Sequence, residues 1–210
     1  MEIIIKPEEE NDHRTVEELT REAFWNIHVP GCDEHLLIHN LRKAKEFISE
    51  LDFVAIKGNK IIGNIAYAKS KVKNGDLEYD VLTFGPISVL PEYQNNGVGS
   101  RLINYTVKLA RETGHSAIII YGDPEYYNRF GFIESKHYKI TSKDKKYPAA
   151  LLVLELYPGA LEGIEGIFDE GEAYNIDKNE LEVFDKSFTK REKGYSKTQD
   201  RFNELLNKYV

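Results

Sequence analysis

Three short stretches of this 210-residue chain carry residue types that can do chemistry. The first is "QNNGVG", Gln94 to Gly99. It follows an apolar run closed by "LPEY" and precedes "SRLINYTVKLA", whose apolar spacing reads as a helix stopped by Gly114. Glycines between a strand and a helix permit positive φ and let a ligand come close to the backbone. Successive N–H groups at a helix start, with the helix dipole behind them, form an anion site. The corner could therefore cradle a pyrophosphate. Two familiar phosphate loops fail in their specific parts. No Lys follows Gly99, as a P-loop requires, and Leu102 stands where a dinucleotide fingerprint needs a third glycine. Taken alone, the corner also reads as an ordinary strand-to-helix turn.

The second stretch is "DPEYYNRFGF", with Tyr126 and Tyr127 shortly before Gly131. Asp123 followed by Pro124 has the form of a helix N-cap with a proline at the first helical position. On any regular backbone the two tyrosines point different ways. Either one also reads as a core aromatic. The third stretch, "HVPGCDEHLLIH", gathers His28, Cys32, His35 and His39. These are zinc-type side chains, and His35 and His39 stand i, i+4 on a helix. The others miss the usual ligand spacing, so no metal is expected, and a loop shaping a pocket is the better reading. Nothing beside Cys32 in the sequence resembles an activating pair for a nucleophile.

The elements that must position these groups follow from periodicity. "EIIIKP" reads as a strand stopped by Pro7, and "DHRTVEELTREAFW" as a helix burying Val16, Leu19, Ala23 and Phe24. "EHLLIHNLRKA" restarts a helix with Asp33 as N-cap. "DFVAIKGNKIIGNIAYAKSKV" is a hairpin about "KGNK". The polar stretch "KNGDLEYD" leads to the strand "VLTFGPISV", then to a helix over 97–113 and the buried strand "SAIIIY". "GFIES" and "AALLVLEL" read as further strands. The order predicts an α/β fold: a mixed central sheet with an antiparallel N-terminal half and a βαβ unit, and helices on both faces. Beyond about 158 the pattern weakens. We expect a domain over 1–158 and a C-terminal extension over 159–210. In that extension Phe202, Leu205, Leu206 and Tyr209 form one helical stripe that packs on the domain or on a second copy of the chain.

Composition narrows the partners. A net charge of −7 argues against general nucleic-acid binding. One cysteine excludes a disulfide within the chain. The opening "MEIIIKPEEE" is too short and acidic for a signal peptide, and no apolar run is long enough to span a membrane. A cytoplasmic protein is expected.

The corner gains meaning from its surroundings. "FGPISVLPEYQNNGVGSRLI" closely resembles the central motif of the GNAT acetyltransferases: a strand ending in V-x-P-x-Y, then [QR]-x-x-G-x-[GA], then a helix. "YYNRFGF" resembles the family's Y-x-x-x-G-F element. "DPEYYNRFGF" and "VPGCDEHLL" are similar to the YhbS-type members, and the resemblance covers roughly 2–158. It implies a GNAT fold without metal, with acetyl-CoA as co-substrate. Asn95, Asn96, Gly97, Val98, Gly99 and Ser100 would receive the pyrophosphate through backbone N–H groups, and Gln94 would hold the loop's shape. Pantetheine would lie along Ile87, Ser88 and Val89, where strand 84–89 splays from the next strand. Tyr127 matches the tyrosine that protonates the departing thiolate. The "YGDPEY" stretch departs from the family's N-x-x-A, which puts a side-chain asparagine contact to CoA in doubt without touching the tyrosine. Val89 or Leu90 would offer an N–H to the developing oxyanion. Cys32, Asp33, Glu34 and His35 would border the acceptor, with Asp33, Glu34 and His35 as candidate bases and Glu78 and Asp80 as weaker ones. The implied activity is N-acetyl transfer to a small-molecule or peptide amine by direct attack in a ternary complex. The alternatives are a non-catalytic acyl-CoA sensor and a transferase of longer acyl chains.

Overall fold

The computed structural model describes residues 2–210. Its sheet is built on a long hairpin. β1 (Ile3–Pro7) and β2 (Phe53–Lys57) lead into β3 (Lys60–Asn74), which pairs antiparallel with β4 (Leu77–Val89). Strand pairing runs straight through the polar stretch "KNGDLEYD". Asn74 faces Leu77 across a two-residue turn, and Gly75 takes the positive φ of +60° that such a turn needs. The polar residues there are a solvated hairpin end, with Glu78 paired to Lys71 and Lys73.

α3 (Val98–Glu112) crosses from β4 to the parallel β5 (Ala117–Tyr121). This is the expected βαβ unit, and the helix lies within a residue of the predicted bounds. β8 (Leu151–Glu155) and then β6 (Ile133–Glu134) complete the order β1-β2-β3-β4-β5-β8-β6. β4 and β5 share only the pair Leu82↔Ile118. A register shift follows on β4, because Phe84 faces Tyr67 while Ile87 faces Ile65. Such a bulge bends the strand. Beyond Leu82, β4 therefore leaves β5.

Helices cover both faces. α1 (His13–Phe24) touches one face, where Ser88 Oγ donates to Thr20 Oγ1 at 2.9 Å. α3 covers the other, where the hydroxyls of Tyr67 and Thr106 meet at 2.9 Å. α2 (Glu34–Leu41) packs beside α1. Val16, Leu19, Ile38, Leu41, Leu102 and Ile103 are buried. Each such side chain contributes about 1.5–3 kcal/mol of apolar burial. Asp33 does not cap α2 as expected: its carboxylate accepts nothing from the helix start, and its own N–H donates to Glu34 Oε2 at 3.2 Å.

The chain after 158 folds onto this sheet. β9 (Gly166–Asp169) pairs with β3 and with β7 (Ile140–Thr141). α5 (Lys178–Asp185) lies on α1 and α2, and α6 (Lys197–Asn207) crosses the ends of β5 and β8. Leu205 from the apolar stripe is buried against Ala149, Ala150 and Tyr121, so the stripe packs on its own chain. Among the described residues no helix is long and apolar enough to cross a membrane.

Candidate active site

Where β4 leaves β5, a cleft of 740 Å³ opens. Ile87 and Val89 form its floor, and the corner 94–100 closes one end. The corner's shape is set locally. Gln94 Nε2 donates to Val89 O at 3.0 Å, and Asn96 Nδ2 donates to Gln94 O at 2.9 Å. Gly97 sits left-handed at φ +77° as the residue before α3, a conformation costly for any side chain. Gly99 has a different reason to be glycine. A Cβ there would lie 2.8 Å from the Tyr126 hydroxyl.

The structure brings Ile87, Val89, Gln94, Asn95, Gly97, Val98, Gly99 and Ser100 to the cleft. It does not bring Ser88 or Asn96. Strand alternation turns Ser88 to the opposite face, against Thr20, and Asn96 is folded back on Gln94. The Leu90 N–H already donates to Ile62 O at 3.0 Å, which leaves Val89 as the N–H to consider for an oxyanion.

The tyrosines stand on α4 (Pro124–Tyr127), where Asp123 caps the helix by accepting the Glu125 N–H at 2.9 Å. Their rings are perpendicular, with centroids 4.9 Å apart. Tyr126 reaches to the start of α3, beside Ser100 and under the Arg129 guanidinium. Tyr127 packs among Phe84, Phe130 and Phe132 and lies flat over Gly122, where a Cβ would come within 2.3 Å of the ring. Gly122 therefore leaves room for Tyr127. The Tyr127 hydroxyl lines the cleft and has no hydrogen-bond partner among the described residues. Burial pushes this phenol well above its usual range, so it keeps its proton at neutral pH.

Cys32, Asp33, Glu34 and His35 do not line the cleft. Cys32 and His35 are buried beneath α5 and Phe188. Cys32 does have a histidine beside it, contrary to the sequence reading: Sγ lies 3.4 Å from His35 Nδ1, and Asp185 Oδ1 lies 3.3 Å from His35 Nε2, off hydrogen-bond geometry. Burial neutralises this cluster. It lowers His35 to about 4, against the pull of Asp185, and raises the Cys32 thiol. A buried neutral thiol beside a neutral imidazole is not an activated nucleophile. The four zinc-type residues are dispersed. His28 meets Glu34, His39 meets Glu17, and among the described residues no three His, Cys, Asp or Glu side chains converge on a metal position. Glu78 and Asp80 lie at the hairpin end, away from the cleft.

A family profile described as "Acetyltransferase (GNAT) domain" matches residues 49–134, a span that holds the corner, Gly122 and both tyrosines. Over that span the chain is similar to the GNAT acetyltransferases. Among curated GNAT relatives it is 27% identical over 161 residues to "Uncharacterized N-acetyltransferase YhbS" of Escherichia coli (strain K12), covering 71% of this chain and 94% of the relative. It is 30% identical over 114 residues to "Uncharacterized N-acetyltransferase YjhQ" of the same strain, covering 54% and 59%. A crystal structure of a GNAT acetyltransferase from Brucella melitensis in complex with acetyl-CoA matches with TM-score 0.67 at 26% identity, over 83% of this chain and 99% of that one. The Escherichia coli YhbS in complex with CoA matches with TM-score 0.73 at 24% identity, over 83% and 92%, and shows the shared fold.

The GNAT span ends before the opposite wall of the cleft. Ala23, Phe24, Ile27 and His28 supply part of that wall, and Thr198, Arg201, Phe202 and Leu205 of α6 supply the rest. Arg201 binds Asp123 at 3.2 Å and Glu125 at 2.9 Å, which ties α6 to the helix bearing the tyrosines. Phe202 stacks on His28 at 4.2 Å. The sequence signalled an apolar stripe at Phe202 and Leu205, but nothing local to it said where the stripe would land.

Proposed function

We propose that this chain is an N-acetyltransferase that moves the acetyl group of acetyl-CoA to an amine by direct attack in a ternary complex. The observation that carries the reading is the combination in one cleft of the glycine corner and the unpartnered Tyr127 hydroxyl. The residues fit the co-substrate. Backbone N–H groups around Gly97 and Gly99, at the positive end of a 15-residue helix, suit a pyrophosphate. The parted edge of β4 at Ile87 and Val89 suits the amide-bearing pantetheine arm. Val89 N–H suits the carbonyl oxygen, and Tyr127 supplies the proton that a leaving thiolate needs. Residues 159–210 serve the same unit by closing the cleft. Holding amine and thioester in one cleft supplies much of the rate through proximity.

The test is a screen of amines, amino acids, aminoglycosides and peptide N-termini with acetyl-CoA, read by release of free thiol. Turnover with an amine supports the reading. Saturable acetyl-CoA binding with no thiol release from any acceptor would make the chain an acyl-CoA sensor instead.

A further inference from the structure

His28 stands at the α1 end of the cleft, and the transfer as derived so far gives it no task. Its setting is built. Nδ1 lies 2.8 Å from Glu34 Oε1. Glu34 is itself fixed, since its other oxygen accepts the Asp33 N–H at 3.2 Å and its side chain is only 12% exposed. Phe202 stacks on one side of the ring at 4.2 Å, and Phe24 lies against it at 5.3 Å. Among the described residues Nε2 has no hydrogen-bond partner, and it is not sealed away. A carboxylate at Nδ1 fixes the tautomer that carries hydrogen there, which leaves the lone pair on Nε2.

The one carboxylate among the described residues that line the cleft is already engaged. Asp123 caps α4 and binds Arg201. The charged groups around His28 are Asp33 and Glu34 at the start of α2 and, on α6, Arg201, which Asp123 and Glu125 neutralise. Phe24 and Phe202 bring no charge. Among the described residues, the lone pair on this wall that an ammonium group could use as a base is therefore Nε2 of His28.

We propose that His28, positioned by Glu34, is the general base that takes a proton from the incoming amine. This rests on the transferase reading. The acceptor, an aliphatic primary amine that arrives as ammonium, gives one proton to Nε2. Its nitrogen then forms the C–N bond to the acetyl carbonyl carbon, and the C–S bond breaks. The sulfur leaves with the bonding pair and takes the Tyr127 proton. The second amine proton, made acidic as the nitrogen becomes an amide, restores Tyr127. The imidazolium loses its proton to water. One acetyl group moves, one thiol forms and one proton is released.

The test has an arm that needs no turnover. Nitrogen-15 NMR of the histidine rings, assigned through His28→Gln, reads the tautomer of His28 with and without CoA. The expected result at pH 8 is hydrogen on Nδ1 and a bare Nε2. Hydrogen on Nε2, or a doubly protonated ring at that pH, would overturn the proposal. The second arm uses the fastest primary amine from the screen. His28→Gln should lower kcat by roughly 10²–10⁴-fold and abolish the acid limb of the kcat/KM profile, with acetyl-CoA affinity unchanged. Glu34→Gln keeps an acceptor at Nδ1 but removes the charge, so it should lose about tenfold and shift that limb. Wild-type kcat and an unchanged profile in His28→Gln would sink the assignment, as would a loss confined to KM. A wild-type chain with no turnover in the screen defeats the transferase reading, and the NMR arm still decides the state of the dyad.

Discussion

From Ile87 to Ser100 one wall of the cleft is a single continuous stretch of chain, and its shaping hydrogen bonds join residues two or five apart. The wall facing it is assembled from both ends of the sequence. Trp25 Nε1 donates to Glu192 O at 2.9 Å, Thr198 Oγ1 to Ile27 O at 2.8 Å, and Ser196 Oγ and Gln199 Nε2 to Asn26 O at 2.6 and 3.1 Å. These partners stand 167 to 173 residues apart. The first wall carries the geometry on which the proposed phosphate and thioester contacts rest, and local backbone supplies it. The second presents side chains whose choice, His28 apart, is free of that requirement. The difference teaches where specificity can vary without disturbing the shared chemistry: in the end of α1 and in α6.

The comparison can be broken at the tyrosines, where the expected effect is largest. Tyr127→Phe should lower kcat by roughly 10²–10⁴-fold while acetyl-CoA binds as before. Tyr126→Phe should do the reverse, because its hydroxyl sits over the Gly97–Gly99 corner beside Ser100. Its acetyl-CoA Kd should rise by about tenfold or less, the value of one hydrogen bond, with kcat near wild type. Steady-state kinetics with calorimetry separates the two, and interchanged phenotypes would mean that the roles are swapped.

Gly97→Val comes next. A branched residue at φ +77° is strained by roughly 1–3 kcal/mol, and the strain falls on the corner itself. CoA affinity should drop by more than the loss of stability, and titration calorimetry against thermal unfolding measures both. Equal CoA affinity would reduce the corner to a plain turn.

A smaller effect probes whether the extension and the sheet are one unit. Burial raises the Glu170 carboxyl to about 7. Between about 4.5 and 7 the folded chain therefore binds more protons than the unfolded one, so stability falls as pH rises through that window. Glu170→Gln removes this loss and should gain roughly 1–2 kcal/mol above pH 7 relative to pH 4.5. Denaturant unfolding at the two pH values measures it. A single transition that carries the whole shift marks one cooperative unit, whereas two transitions separate the extension.

Arg201→Ala is expected to cost least, within about 1 kcal/mol, because its ion pairs are partly exposed. It loosens α6 from α4, so KM for the amine should change while the acetyl-CoA Kd does not. A changed acetyl-CoA Kd would show that the second wall also holds the co-substrate.

What the sequence disclosed follows the same division. Helix 97–113, the Asp123 cap and the place of Tyr127 depend on neighbours within a few residues, and all were legible. The Cys32–His35–Asp185 cluster, the His28–Glu34 contact and the landing place of Phe202 depend on loop conformation and on chain that arrives from beyond 180. His28 read as a zinc-type residue because a spacing pattern contains no partner. Asp33 read as a cap because cap statistics do not see that Glu34 engages its N–H. The strands through "KNGDLEYD" were hidden because cross-strand pairs such as Lys71 with Glu78 put polar residues in a solvated hairpin.

The account stands most directly on where acyl-CoA binds, and a thermal shift series with acetyl-CoA, CoA and adenosine on the wild-type chain and Gly97→Val measures that. Acetyl-CoA and CoA at about 100-fold over Kd should each stabilise the wild type by about 2.7 kcal/mol, adenosine should not, and Gly97→Val should lose most of the gain. No shift with either CoA species, or an equal shift with adenosine, would contradict the placement of the pyrophosphate on the 94–100 corner.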